Sequence, residues 1–383
     1  TLLDLRRGRI ELGSAQIFGH LRYRDSYHSL EQANPALTFD NSVVSTTFAV
    51  IPYVGYAAPI GGRVAWGIAA YAQVGGGVDI NGITSLLPLE AEEPVPLIMT
   101  RTLRDQFQGA VFFKVTPGAA VAVGRLRLGV GLDVVYGQLE NKITFYDEER
   151  TDLLLRYNYQ GDPQVEVGGK VGATYTLGLV TVGYAYMLKN TFDFDGTFTE
   201  TDTDGKRTRA RVQNRFVLPD RHSLGAAVTY GPWTAAYDAN FVRYGAYFRH
   251  RRLVLSEPLF PGNAVVSDDL VNYKDQWHMN VGLEYRLGPW AWRTGWNHGR
   301  SPIRNYTVSP EDNLIAQDHG QVGIEYRTRG GVTLDLAVER AFENREAGDY
   351  NTAWGKQRFF SRADTYSVAL RQTLVYFAIG CDM

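Results

Sequence analysis

The sequence predicts an all-β protein: a transmembrane antiparallel β-barrel of about fourteen strands, with short turns on one rim and long loops on the other. Three observations predict it. Apolar and polar residues alternate with a period of two along most of the 383-residue chain, as in strands whose two faces meet different surroundings. The connections between these runs are by turns very short and long. The composition is rich in 40 Gly, 23 Tyr, 18 Phe and 7 Trp, with one Cys and four Met, which suits a sheet with aromatic girdles. No run approaches the roughly 18 apolar residues of a membrane helix, a test blind to proteins that cross with strands. A net charge of -2 without a basic stripe argues against a nucleic-acid partner. The lone Cys381 forms no internal disulfide.

In chain order the strands are expected over 8–23, 43–57, 63–80, 105–116, 125–145, 164–176, 180–199, 210–230, 233–251, 273–287, 290–299, 317–327, 332–342 and 359–377. The tenth shows the pattern most cleanly. In "QWHMNVGLEYRLG", Trp277, Met279, Val281, Leu283, Tyr285 and Leu287 share one face, and Gln276, His278, Asn280, Glu284 and Arg286 share the other. "GQVGIEYR" and "VTLDLAVE" repeat it. The short connections include "APIGGR" (58–63), "LGL" (177–179), "YGPW" (230–233), "LGPW" (287–290) and "RTRGG" (327–331). The long ones are expected at 81–104, 146–162, 200–209, 252–272, 301–316 and 343–358. Several strands exceed the 9–11 residues that cross a membrane and should project above it. A soluble sandwich or propeller would have short turns at both ends.

Four groups of residues are candidates for function. Gly75, Gly76 and Gly77 interrupt a strand in "YAQVGGGVDI". Glycine loses the most backbone entropy on ordering and packs nothing, so the run reads either as a plain bulge or as an opening in the wall. The loop "NGITSLLPLEAEEPVPLIM" carries Leu86, Leu87, Leu89, Val95, Leu97, Ile98 and Met99, and apolar side chains held in water mark either a binding groove or a self-packed lid. Arg293, Arg327 and Lys170 fall on polar, lumen-facing sides. Each reads as an anchor for a ligand carboxylate or, more simply, as half of an internal ion pair. "DFDG" (193–196) and "TDTDGK" (201–206) carry oxygen ligands but not the full calcium-loop spacing, and Asp-Gly favours a turn, so no metal or other cofactor is expected. No Gly-x-Ser-x-Gly or phosphate loop is present, and the chain does not read as an enzyme.

The stretch "YKDQWHMNVGLEYRLGPWAWRTGWNHGRSPI" resembles the FadL-type outer-membrane transporters of long-chain fatty acids and hydrocarbons. The likeness rests on Lys274-Asp275, Arg293-Thr294-Gly295 and Ser301-Pro302, and upstream on Leu218-Pro219 and on "PYVGYAAPIGGRVAWGIAAYAQVGGGVDI". The resemblance implies a fourteen-stranded barrel with an N-terminal hatch in its lumen. Greasy substrate would be captured by external loops, held in an internal pocket and released sideways at a kink in the third strand, where the triple glycine falls. Residues 1–7 would be the remnant of the hatch and 8–383 the barrel, most of the hatch being missing. "NPAL" (34–37) matches the family's hatch motif but lies after the first strand, in a loop. The implied function is passive uptake of a hydrophobic small molecule across the bacterial outer membrane by a monomer in contact with outer-membrane lipids. The molecule would be a fatty acid, an alkane or an aromatic hydrocarbon, with detergent able to take its place. A general porin for polar solutes and a structural or adhesive barrel are the alternatives.

Overall fold

A computed structural model describes residues 2–28, 38–89, 98–258, 265–310, 314–349 and 364–383. Strands are β1 (Arg9–Tyr27), β2 (Phe39–Ile60), β3 (Val64–Leu89), β4 (Ile98–Val123), β5 (Leu126–Tyr146), β6 (Leu153–Gly161), β7 (Gln164–Leu177), β8 (Val180–Met187), β9 (Asn190–Thr201) and β10 (Arg207–Leu218). They continue as β11 (Arg221–Tyr230), β12 (Trp233–Val242), β13 (His250–Pro258), β14 (Val265–Leu270), β15 (Gln276–Leu287), β16 (Trp290–Gly299), β17 (Asp318–Arg327), β18 (Val332–Asp349) and β19 (Thr365–Asp382). Every pairing is antiparallel, and β19 pairs with β1 from Arg9↔Asp382 to Ser26↔Thr365, which closes the sheet. Five wall strands are each broken in two, so the nineteen segments make a barrel of fourteen strands, as expected.

The lower rim follows the sequence closely. Its six short turns each hold a glycine at positive φ (Gly61, Gly124, Gly178, Gly231, Gly288 and Gly331), a conformation that costs other residues but not glycine. Two outward aromatic belts mark the membrane. The lower pairs Trp233 with Tyr285 at 4.5 Å and Trp290 with Tyr326 at 4.5 Å. The upper pairs Phe241 with Trp277 at 4.9 Å, Trp296 with Phe342 at 5.4 Å and Phe18 with Phe48 at 5.2 Å. From Trp233 to Phe241 the rise is about 27 Å along the strand, or about 20 Å once tilted, close to the apolar band of such barrels. Exposed Val281, Leu283, Val322 and Leu336 cover the wall between the belts.

The upper half departs from the expected plan. Within the segments expected as loops, 81–89, 98–104, 153–161, 252–258, 265–270 and 343–349 are strand, because β3, β4, β6, β13, β14 and β18 continue above the membrane. The last strand likewise runs past Phe377 to Asp382. The breaks fall side by side, at Asp162-Pro163, Leu188-Lys189, Pro219-Asp220, 243–249 and 271–275. Proline and buried hydrogen-bonding side chains set them. Asp220, buried at the third break, accepts from Tyr247 Oη at 2.8 Å and Arg243 Nη1 at 3.2 Å. Above the breaks β6, β9, β10, β13 and β14 keep the same neighbour order.

Two cores fill the mouth. Phe112 of β4 meets Phe192 of β9 at 5.1 Å and Phe216 of β10 at 5.1 Å. Strands so far apart in the sheet touch because the upper wall curls inward. Across the mouth, Leu21, Tyr23, Val78, Ile80, Leu86 and Leu370 pack with Ile303, Val308 and Ile315 of the β16–β17 connection. Below β1, Leu2–Asp4 form a 3-10 turn near β2, β3 and β4, and Arg127 Nη1 binds Asp4 Oδ1 at 2.7 Å.

Candidate functional site

The wall has a long interruption between β2 and β3. β2 pairs with β1 along its whole length, from Arg9↔Ala57 to Tyr27↔Phe39. On its other edge the ladder with β3 runs only from Ile60↔Val64 to Tyr53↔Tyr71. The next rung would join Pro52 to Ala72. Proline brings no N–H to it, and β3 carries a bulge at the same height, the register with β4 shifting between Ala72 and Val74. Both strands therefore leave the ladder together.

Side chains rejoin the two strands higher up. Thr47 Oγ1 donates to Gly77 O at 3.3 Å. Asn41 stands in for a missing rung: its Nδ2 donates to Thr84 O at 2.8 Å and its Oδ1 accepts from Thr84 N at 2.8 Å. Asn41 Nδ2 also donates to Asp25 Oδ1 at 2.6 Å, and Tyr23 Oη to Asp25 Oδ2 at 2.5 Å. Burial nevertheless raises the Asp25 carboxyl above its ordinary range. Between Tyr53–Tyr71 and Thr47–Gly77 lies a window of about five residues on each strand, about 16 Å tall. Its outer rim bears exposed Phe48 and Val50, so it opens beside the apolar band.

Inside the window lies a cavity of about 1640 Å³ between the two cores. Thr47, Ala49, Gly76 and Gly77 line it on the seam side, and Leu139, Tyr159, Phe216 and Phe248 opposite. Burial pushes the Tyr157 and Tyr159 phenols, also on the wall, up to about 12, so both stay neutral.

The expected glycines thus sit at the seam. A Cβ on Gly76 would meet nothing within 4 Å, whereas one on Gly77 would lie 2.9 Å from Gln108 O. Neither uses positive φ; that conformation belongs to Gly82, φ +76°, at a second bulge. Pro52 was not singled out in the sequence, although a proline within a strand signals an unpaired edge.

The other candidates scatter. Leu86 is buried in the mouth core. Leu87, Leu89, Ile98 and Met99 lie on the paired ends of β3 and β4, and Val95 and Leu97 fall outside the described residues, as does "NPAL". Arg293 is enclosed by Glu284 at 2.8 Å, Asp335 at 3.1 Å and Glu325. Arg327 pairs with Asp382. Lys170 lies 3.4 Å from Asp133 and 3.3 Å from Tyr71 Oη, at the window's sill. Asp133 is buried and also binds Lys114 at 3.0 Å and Thr116 at 2.6 Å. Asp193 pairs with Arg215 within a ladder, and Asp202 and Gly205 form a turn. Among the described residues no cluster of His, Cys, Asp or Glu is suited to a metal.

A closed fourteen-stranded barrel with aromatic belts and a seam beside an internal cavity defines an outer-membrane channel. The model of the outer membrane protein transport protein family (OMPP1/FadL/TodX) matches residues 2–373, and the chain belongs to that family. It is therefore an outer-membrane transport protein and not an enzyme. In fold it is similar to a Pseudomonas aeruginosa FadL homologue (TM-score 0.75, 15% identity, covering 100% of this chain and 91% of that one). It is similar also to the P. putida toluene transporter TodX (0.75, 16%, 100% and 92%) and the Ralstonia pickettii toluene transporter TbuX (0.69, 16%, 100% and 91%). No match was found among curated protein sequences.

Proposed function

We propose that the barrel is a passive, monomeric channel for hydrophobic small molecules, which enter from the mouth, occupy the upper cavity and leave through the β2–β3 window into the surrounding lipid. One observation carries the reading: the cavity wall includes Gly76 and Gly77, at the height where β2 and β3 have parted. In lipid each unpaired backbone group costs several kcal/mol, so an open seam at membrane depth is tolerated only where protein covers it or it lines a cavity, as this one does. Each buried methylene contributes about 0.8 kcal/mol toward transfer from water. The gradient of partition alone then drives an apolar solute from mouth to cavity to lipid.

The upper ends of β3 and β4, with Leu86, Leu87, Leu89, Ile98 and Met99, are the proposed capture surface, and residues up to 7 the end of a hatch. Arg293 and Arg327 are already neutralised by carboxylates, which favours an uncharged hydrocarbon over a fatty acid anion. Similarity to two toluene transporters supports the same side. Uptake into proteoliposomes tests the reading. Toluene or decane should enter well above protein-free controls, and glucose should not. Entry of glucose without the hydrocarbons would make the protein a general porin.

A further inference from the structure

Several buried polar atoms on the cavity wall have no hydrogen-bond partner, and most belong to neutral side chains. Gln106 of β4 is 3% exposed, and both its Oε1 and its Nε2 are buried without a hydrogen-bond partner. Gln108 Oε1 on the same face and Asn141 Oδ1 of β5 are likewise unpartnered, and Gln108 faces Asn141 directly across the ladder. Ser45 Oγ of β2, 5% exposed, repeats this on the far side of the seam. All four side chains line the cavity. A buried polar group without a partner costs about 1–3 kcal/mol, so three amides and a hydroxyl around one chamber beside the window suit a ligand that supplies the missing bonds.

Several ionisable groups on the wall have their own partners. Arg215 makes two bonds to Asp193, His319 one to Glu339, and Arg104 lies in the field of Asp25. From these neutral amides and the hydroxyl we infer that the cavity selects hydrophobic molecules bearing one hydroxyl, alcohols or phenols. A hydroxyl both donates and accepts, and an amide or Ser45 meets either need. A carboxylate offers acceptors alone, and its charge costs far more to bury among neutral groups. A plain hydrocarbon leaves the amides unpaired, the situation in which sites built for a hydroxyl discriminate most.

This inference rests on the proposed passage of hydrophobic molecules through the cavity. It is tested with the full chain in detergent by displacement of a fluorescent hydrophobic probe, using decane, 1-decanol and decanoate and correcting each for micelle partitioning. 1-Decanol should bind on the order of tenfold tighter than either of the others. Gln106→Leu should narrow the gap between 1-decanol and decane to about twofold, with Gln106→Met as the second variant should the first fail to fold. Equal binding of decane and 1-decanol, or tightest binding of decanoate, overturns the inference and leaves uptake of hydrophobes standing. Displacement by none of the three, together with no uptake of decane into proteoliposomes, overturns both.

Discussion

The two edges of β2 differ in a way that separates wall from passage. Toward β1 the strand is paired from one end to the other, and toward β3 it is paired only below Tyr53. The same residues, in the same membrane, meet a complete ladder on one side and a window on the other. Hydrophobicity does not explain the difference, since Phe48, Val50 and Val54 are exposed along the whole stretch. Backbone chemistry does. Pro52 cannot donate, the bulge at Gln73 throws β3 out of step, and the glycines beyond it give the strand no side chains with which to close the gap. A barrel thus opens its side with three local defects at one height, leaving the rest of the ladder to carry stability.

Making the open edge resemble the closed one is the strongest way to break this contrast. Pro52→Val combined with deletion of Gln73 restores a donor and the register, and keeps the faces of both flanking segments. Hydrocarbon uptake should fall to near the protein-free rate while the barrel still migrates as a folded, heat-modifiable species. A smaller effect is expected from Gly76→Val, whose side chain enters open cavity space: a several-fold slower uptake with little change in stability. Gly77→Val is a poorer probe, because its Cβ meets the backbone oxygen of Gln108 and would displace β4. Smallest is Asn41→Ala. It removes both bonds to Thr84 and leaves Asp25 with one fewer donor, at a cost of about 1–3 kcal/mol. Hydrogen exchange should quicken at Thr84 and not in the β1–β2 ladder.

The contrast also shows what a sequence can disclose. The lower barrel was legible because alternation and glycine turns are local: "LGPW" turns as expected, and Trp277 to Leu287 face outward as phased. The triple glycine was legible as a weakness in a strand. Its place at the end of a ladder was not, because a bulge is defined by the partner's register. The breaks at Pro219-Asp220 and 271–275 coincide with the Leu-Pro and Lys-Asp pairs that carried the family resemblance. The neighbours of Leu218-Pro219 alternate on both sides, so 210–230 read as one long strand, whereas β14 lies within the expected loop 252–272. Gln106 and Gln108 were hidden most completely. They alternate like any water-facing pair, and only the inward curl of the upper wall buries them.

The central claim is that hydrophobic molecules leave through the gap between β2 and β3. The most direct measurement is uptake of toluene by an Ala49→Cys/Gly76→Cys variant in a Cys381→Ser background, bridged across the window with a bifunctional methanethiosulfonate, before and after reduction. Ala49 and Gly76 both line the cavity at the window, and a Cβ on Gly76 meets nothing within 4 Å, so a bridge there bars the window. The control is Gly55→Cys/Ala69→Cys, which ties the two strands where they are already paired; a Cβ on Gly55 lies 4.0 Å from that of Ala69, within disulfide range. Uptake should be lost in the bridged window variant, return on reduction and stay unchanged in the control. Full uptake through the bridged window variant would contradict lateral exit and place the route elsewhere in the barrel.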